Sequence, residues 1–216
     1  MRQVSTSSQA TYDKLIDAAV AEFAALGLDG ASTRDIARAA NVALSAISYH
    51  FGSKADLYRA AVTRAADGMV EPLQPIFQRI EKLIAGKPSA DDARTALIEL
   101  TGAVAEIMLA PGEEGEAAAQ LSMRELVIPT AARDIIASRV VEPVITYATS
   151  LIALMGVPGL KKGGAAIEAT ALFGPITIYR ILHNHSLGTM SVEQAKAIQR
   201  AVHGSVRRTI LALAVT

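Results

Sequence analysis

Along almost the whole of this 216-residue chain, apolar side chains recur three or four positions apart, the spacing of one helix face, and no stretch shows convincing period-two alternation of a strand. The first such stripe is Leu15, Ile16, Ala19, Val20, Phe23 and Leu26, set between Ser8, a candidate N-cap, and Gly27, which can end a helix in a left-handed conformation. The apolar content is carried by Ala, Leu and Ile, with only four Phe, five Tyr and no Trp. Such a composition favours helices over sheets. An all-α protein is expected.

Further helices are expected at about 33–40, 44–50, from 54 onward, and at about 89–109, 113–127, 130–155, 163–185 and 191–214. They are separated by P-x-x-P from Pro72, GKPS near 86, APGEEG, Ile128-Pro129, GVPGLKKGG and SLGTM. The change of punctuation at Pro72 puts a hinge within residues 60–75 and divides the chain into a head, 1–64, and a larger helical domain, 65–216. With 51% hydrophobic residues the chain can bury a core without staples, and with no cysteine it has no disulfide, thiolate metal cluster or cysteine nucleophile. The polar N-terminus does not read as a secretory leader. No apolar run approaches the roughly 20 residues of a membrane span, so a soluble cytoplasmic protein with no membrane partner is expected.

The segment from Ser32 to Lys54, STRDIARAANVALSAISYHFGSK, has a physical task at nearly every position. Ser32 caps, with Asp35 three residues on as in a capping box. Ile36, Ala37 and Ala40 face a core, Asn41 suits a left-handed turn, and Val42, Ile47 and Phe51 continue the core beyond it. Gly52 ends the second helix, and Ser53 with Asp56 caps the next. This leaves Leu44, Ser45, Ser48, Tyr49 and His50 outward on a short helix that fits a major groove. Serine hydroxyls can address base edges there. Tyr49, His50 and Lys54 can reach phosphates, as can Thr33 and the amides that begin its helix. The net charge is +0, which excludes a protein that coats nucleic acid by charge alone, and residues 1–64 hold seven Lys/Arg against six Asp/Glu.

These residues resemble the N-terminal domain of the TetR family of bacterial repressors, whose pattern T-x-R-x-I-A-x-x-A-G-V-S-x-x-x-L-Y-x-H-F-x-x-K-x-x-L is met at Thr33 (one place displaced), Ile36, Ala37, Ala40, Val42, Phe51, Lys54 and Leu57. Asn41, Ala43 and Ser48 depart from it, standing where Gly, Ser and Tyr are usual. The resemblance implies that Ser45, Ala46 and Ser48 lie against bases while Tyr49, His50 and Lys54 hold the backbone. Tyr49–Tyr58 within the head, and beyond it the Arg124-Glu-Leu run followed by Pro129-Thr130 and Gly174 with Arg180, are similar to the CecR-like branch. That implies an effector site and a dimer made from the last two helices. A homodimer would then hold a double-stranded DNA operator and respond to a small organic effector.

For the effector site the resemblance turns part of the core lining, Met108, Met123, Phe173, Ile176 and Tyr179, into a cavity that Arg124 joins. Read from the residues alone, Arg124 and Glu125 fit an ion pair or a ligand contact equally, and Tyr179 with Arg180 place a second polar group on an apolar helix. Ile198, Val202, Val206, Ile210 and Leu213 form a stripe suited to a dimer face or to the subunit's own core, and Ala165, Ala169 and Gly174 allow close helix approach. His183 and His185, at i, i+2, fall on different helix faces and do not make a metal site. No nucleophile with its base, no phosphate loop and no carboxylate pair is evident, so neither enzyme nor cofactor is expected. The competing class is a helical small-molecule carrier or enzyme with a vestigial corner.

Overall fold

A computed structural model describes residues 6–109, 113–160, 163–186 and 192–213, and among these every regular element is helical. The helices are α1 (Thr6–Gly30), α2 (Thr33–Ala39), α3 (Ser45–His50), α4 (Lys54–Val70), α5 (Gln74–Ala85), α6 (Ala90–Leu109), α7 (Glu113–Val127), α8 (Arg133–Ile136), α9 (Glu142–Leu154), α10 (Gly164–Ser186) and α11 (Val192–Ala212). A 3₁₀ turn, Glu71–Leu73, precedes α5, and one π turn, Ala137–Val141, precedes α9. The chain forms two compact units, Met1–Gly68 with Ala117–Ile136, and Met69–Glu116 with Ala137–Thr216.

In the first unit α1, α2 and α3 pack on one another. Their core is Leu15, Ile16, Ala19 and Phe23 with Ile36, Ala37 and Ile47, joined by Leu57, Tyr58, Ala61 and Val62 of α4. Phe23 meets Tyr58 edge-on at 4.8 Å, and Tyr12 stacks on Phe51 at 4.9 Å. Ser8 lies inside α1, which already runs from Thr6, so it is not the N-cap expected from the sequence. Gly27 breaks the helix where expected, at φ 73° and ψ 179°. The left-handed φ is what favours glycine here; a Cβ would lie 2.8 Å from Arg124 Nη1, the far end of a flexible side chain that can move aside.

In the second unit α6 is the hub, with α5, α9, α10 and α11 all packed on it. This accounts for its broad buried set, Ala93, Leu97, Leu100, Thr101, Ala105, Met108 and Leu109. The sequence reading leaves the stretch after Pro72 as punctuation, yet it holds the 3₁₀ turn and α5. Pro72 and Pro75 sit in first-turn positions, where a missing N–H costs no hydrogen bond. The helix expected at 130–155 begins instead at Arg133 and passes through the π turn. By length and composition Arg133–Leu154 could cross a membrane, at mean hydropathy 1.3, which corrects the expectation that no run approaches that length. Val144, Ala148, Leu151 and Ile152 of α9 are buried, and α9 packs on α6 and α10.

The α11 stripe is resolved in favour of the subunit core: Val202, Val206 and Ile210 are buried, Ile198 and Leu213 half-buried, and α11 packs on α6. On α10, Ala169, Leu172, Phe173 and Ile176 face inward, whereas Ile167, Ala171 and Ile178 are exposed.

Candidate nucleic-acid interface

The turn between α2 and α3 fixes the angle at which α3 is presented. Ser32, extended at φ −113°, caps α2 by accepting from the Arg34 amide at 3.2 Å. Asp35 does not reach back to complete a box; its carboxylate takes Arg38 Nη2 at 2.5 Å. At the far end Asn41 adopts φ 53°. The Asn41 amide donates to the Arg38 carbonyl and the Val42 amide to the Ala37 carbonyl, both at 3.0 Å. These are the two bonds of a Schellman closure, with Asn in the left-handed place that Gly commonly takes. Gly52, at φ 81°, turns the chain again after α3. Ser53 then caps α4, accepting from the Asp56 amide at 3.1 Å and donating to its carboxylate at 2.5 Å.

Between these locked turns, Ile47 points into the core, 4% exposed, and the opposite face of α3 is bare. Leu44, Ser45 and Ser48 are exposed, Ala46 is half-buried, and Tyr49 is 81% exposed. His50 is half-buried, edge-on to Tyr49 at 4.9 Å and to Tyr12 at 6.0 Å, so its imidazole is held by rings on both sides. Thr33 is half-buried at the first position of α2. Lys54 is half-buried in the first turn of α4 and its ammonium donates to the Asp29 carbonyl at 3.4 Å. That second attachment was not legible in the sequence. Thr33, Leu44, Ser45, Ala46, Ser48, Tyr49, His50 and Lys54 thus all belong to the head unit, and the exposed serines with Tyr49 share α3.

The same unit contains an anchor that the sequence reading did not find. Glu125 is completely buried; the Tyr58 hydroxyl donates to it, as do the Thr130 amide at 3.1 Å and the Thr130 hydroxyl at 3.0 Å. Burial first, then the hydrogen bond to Glu125 and its charge, hold the Tyr58 phenol well above its usual range. Arg124 turns to the Ala25 carbonyl, 3.2 Å away, and Arg59 bonds the Ala131 carbonyl at 2.7 Å. Arg124 and Glu125 are therefore each engaged elsewhere in the protein, and both fasten Ala117–Ile136 to the head. The Arg124-Glu-Leu run followed by Thr130 was the available signal.

Of the residues expected around an effector, Met123 is buried and Arg124 half-buried in the head unit. Met108, Phe173 and Ile176 are buried and Tyr179 half-buried in the second unit, on the packed neighbours α6 and α10. Beside them Arg180 is 2% exposed. It donates to the Glu116 carbonyl at 2.9 Å and the Met108 carbonyl at 3.4 Å, with the Glu116 carboxylate at 3.7 Å. Burial lowers its pKa, and Glu116 offsets part of that. The side chains of His183 and His185 lie outside the described residues. Among the described residues, no group of His, Asp and Glu could hold a metal ion.

The geometry is that of a helix-turn-helix head on an all-helical chain. The family model for bacterial regulatory proteins of the tetR family matches residues 15–61, and that for the C-terminal domain of the HTH-type transcriptional dual regulator CecR matches residues 93–213. The chain is 32% identical over 168 residues to the HTH-type transcriptional dual regulator CecR of Shigella flexneri, covering 78% of this chain and 74% of that one. Over 50 residues it is 40% identical to the biofilm operon icaADBC negative transcriptional regulator IcaR of Staphylococcus aureus, 23% of this chain and 27% of that one. Among solved structures it resembles a TetR-family regulator from Mesorhizobium loti, with TM-score 0.63, 17% identity, and 96% and 98% of the two chains covered. FadR of Bacillus subtilis, solved with stearoyl-CoA, gives TM-score 0.59, 18% identity, and coverage of 92% and 98%. The chain belongs to the TetR family of transcription regulators, in its CecR-like branch. Its relatives are regulators, not enzymes.

Proposed function

We propose that the protein is a cytoplasmic repressor that holds a palindromic DNA operator as a homodimer and lets go when a small organic effector binds its second unit. The observation that carries this reading is the bare outer face of α3, whose serines and Tyr49 stand exposed between two turns fixed by left-handed residues. In this reading Ser45, Ala46 and Ser48, with Leu44, lie against base edges, while Thr33, Tyr49, His50 and Lys54 hold phosphates. Small side chains at 45, 46 and 48 permit close approach to the groove floor.

The dimer is assigned to the exposed α10 face, where Ile167, Ala171 and Ile178 repeat at helical spacing while α11 spends its stripe on the subunit core. Two heads so held meet half-sites about 34 Å apart, or a multiple of that. A ligand that favours another head spacing, acting through the hinge at residues 60–75, abolishes simultaneous contact. The effector lining is assigned to Met108, Phe173, Ile176 and Tyr179, an apolar set that suits a molecule with one or two polar handles. Met123 and Arg124, also read from the sequence as lining, serve the packing of the head unit. That a neighbouring fold binds stearoyl-CoA supports an organic effector in this architecture.

The test is footprinting of the protein's own promoter together with light scattering. A dimer protecting a two-fold symmetric site is expected; a stable monomer, or protection of a lone half-site, overturns the mechanism.

A further inference from the structure

Helix α3 is short and thinly held. Among its residues only Ile47 is buried, and Leu44 before it supplies no side-chain cap. Its first end is set by the turn at Asn41. Its second end meets α1. Tyr12 precedes Leu15 and Ile16 by three and four positions, so the buried face of α1 reaches it one turn ahead of the core. There its ring stacks on Phe51, at 4.9 Å and 21° between planes, and stands edge-on to His50, at 6.0 Å and 66°. His50 is in turn edge-on to Tyr49, at 4.9 Å and 84°. Among the described residues the His50 imidazole makes no hydrogen bond or ion pair, and neither does the Tyr12 hydroxyl, so ring contact is what places the histidine.

Aromatic rings at these separations attract edge against face, and the preference is directional. Burial of an aliphatic side chain carries no such direction. The geometry points to Tyr12 as a positioning residue of the DNA-reading head: its ring, not its hydroxyl, fixes the His50 imidazole and the end of α3 at the angle that meets a phosphate. The inference rests on the proposed reading of α3 and His50, and adds a residue of α1 on which that reading depends. Lys54 is placed by a different attachment, the Asp29 carbonyl at 3.4 Å. The two phosphate contacts should therefore respond differently to a change at Tyr12.

Two variants of the full chain test this: Tyr12→Leu keeps an apolar body and loses the ring, and Tyr12→Phe keeps the ring and loses the hydroxyl. The His50 ring-proton signals are followed without DNA. Affinity for a fragment of the protein's own promoter is measured for each variant alone and combined with His50→Ala or Lys54→Ala. Tyr12→Leu should move the His50 signals, because the ring current of the edge-on phenol is lost, and should weaken promoter binding about fivefold. Tyr12→Phe should leave both nearly unchanged. His50→Ala should cost about tenfold in the unaltered chain and no more than about twofold in the Tyr12→Leu background, whereas Lys54→Ala should cost about tenfold in both. A Tyr12→Phe variant as weak as Tyr12→Leu would assign the hydroxyl to a phosphate and overturn the positioning role. Unmoved His50 signals in Tyr12→Leu, or equal costs of His50→Ala in the two backgrounds, would overturn it as well. If the cost of Lys54→Ala also collapses, Tyr12 is a packing residue of the whole head and the assignment fails. A chain that holds no promoter DNA in any form rejects the proposed function, and the His50 signals, read without DNA, still decide whether Tyr12 places the imidazole.

Discussion

In the head unit Glu125 is fully buried and surrounded by donors, the Tyr58 hydroxyl and the amide and hydroxyl of Thr130. In the second unit Arg180 is almost as buried, yet its Nε has no partner among the described residues and its carboxylate neighbour stands off at 3.7 Å. Among the described residues, Arg94 Nε and His203 Nε2 of the second unit are likewise buried without a partner, and in the head the Ser122 hydroxyl is. A satisfied network with backbone turns locked by Gly27, Asn41 and Gly52 has one arrangement of low energy. That suits a surface which must present α3 at one angle. A unit with bare donors gains free energy from any molecule that supplies acceptors, which suits a receiver.

Removing each buried charge in turn measures how differently the two units hold one. Glu125→Ala leaves the Tyr58 hydroxyl and the Thr130 amide without their acceptor and should lower unfolding stability by about 3 kcal/mol. Arg180→Met removes a buried charge that is only partly compensated, and should cost about 1 kcal/mol or less. Urea unfolding of the two variants decides it. Equal losses would mean that the two units hold their buried charges equally well.

A smaller effect separates two phenols that both donate to a glutamate. Tyr58 is raised mainly by burial, whereas Tyr147 is raised to about 12 mainly by its hydrogen bond to Glu81 at a more open site. Unfolded phenols lose their proton near 10. Since the folded value is higher in both, the stability each gives is complete below pH 10 and is lost as the pH climbs from there through the folded value. Tyr58→Phe should cost about 2 kcal/mol at neutral pH and flatten the decline of melting temperature above pH 10. Tyr147→Phe should alter both much less, its exposure letting solvent screen the pair. Matching alkaline profiles for the two variants would remove burial as the cause.

How far this contrast could be read from the chain alone depends on the range of the interaction. The turn at Asn41, the stop at Gly27 and the Ser53 cap are local, so residue type and spacing announce them. The exposed face of α3 follows from the same local periodicity. The Tyr58–Glu125 bond joins residues 67 positions apart, and no local rule pairs them. The α11 stripe was ambiguous for another reason: an apolar face is the same in sequence whether it meets its own α6 or a second subunit. Helix α5 was missed because Pro72 and Pro75 read as breaks, although proline is welcome in a first turn.

Within the head, a third test separates holding from reading, and asks whether recognition belongs to that unit alone. Lys54→Ala should weaken binding to all DNA sequences, about tenfold in affinity and with the salt slope reduced by about one unit, because it removes one phosphate contact. Ser45→Ala and Ser48→Ala should change the preference among bases instead. Arg180→Met should leave effector-free promoter binding unchanged. Unaltered salt dependence in Lys54→Ala would assign that ammonium to its Asp29 carbonyl alone.

The smallest expected effect compares one capping motif across the two units. At α4, Ser53 and Asp56 exchange two hydrogen bonds; at α6, Ser89 and Asp92 exchange three, because the Ser89 amide also donates to the Asp92 carboxylate at 3.0 Å. The Ser89 hydroxyl, then its amide, hold the Asp92 carboxyl below its ordinary value of 3.8. A depressed carboxyl contributes stability that is complete above its unfolded value and disappears as the pH falls through the folded one. Asp92 is fully exposed, so the contribution is confined to the acid limb and is small. Ser89→Ala removes the hydroxyl and leaves the amide, so the Asp92 titration midpoint, followed by carboxyl carbon NMR, should move only part of the way back to the ordinary value. Asp92→Asn should remove the acid-limb contribution altogether. A midpoint that stays in place in Ser89→Ala would show that the amide alone sets it, making the α6 cap a backbone device where the α4 cap depends on its serine hydroxyl.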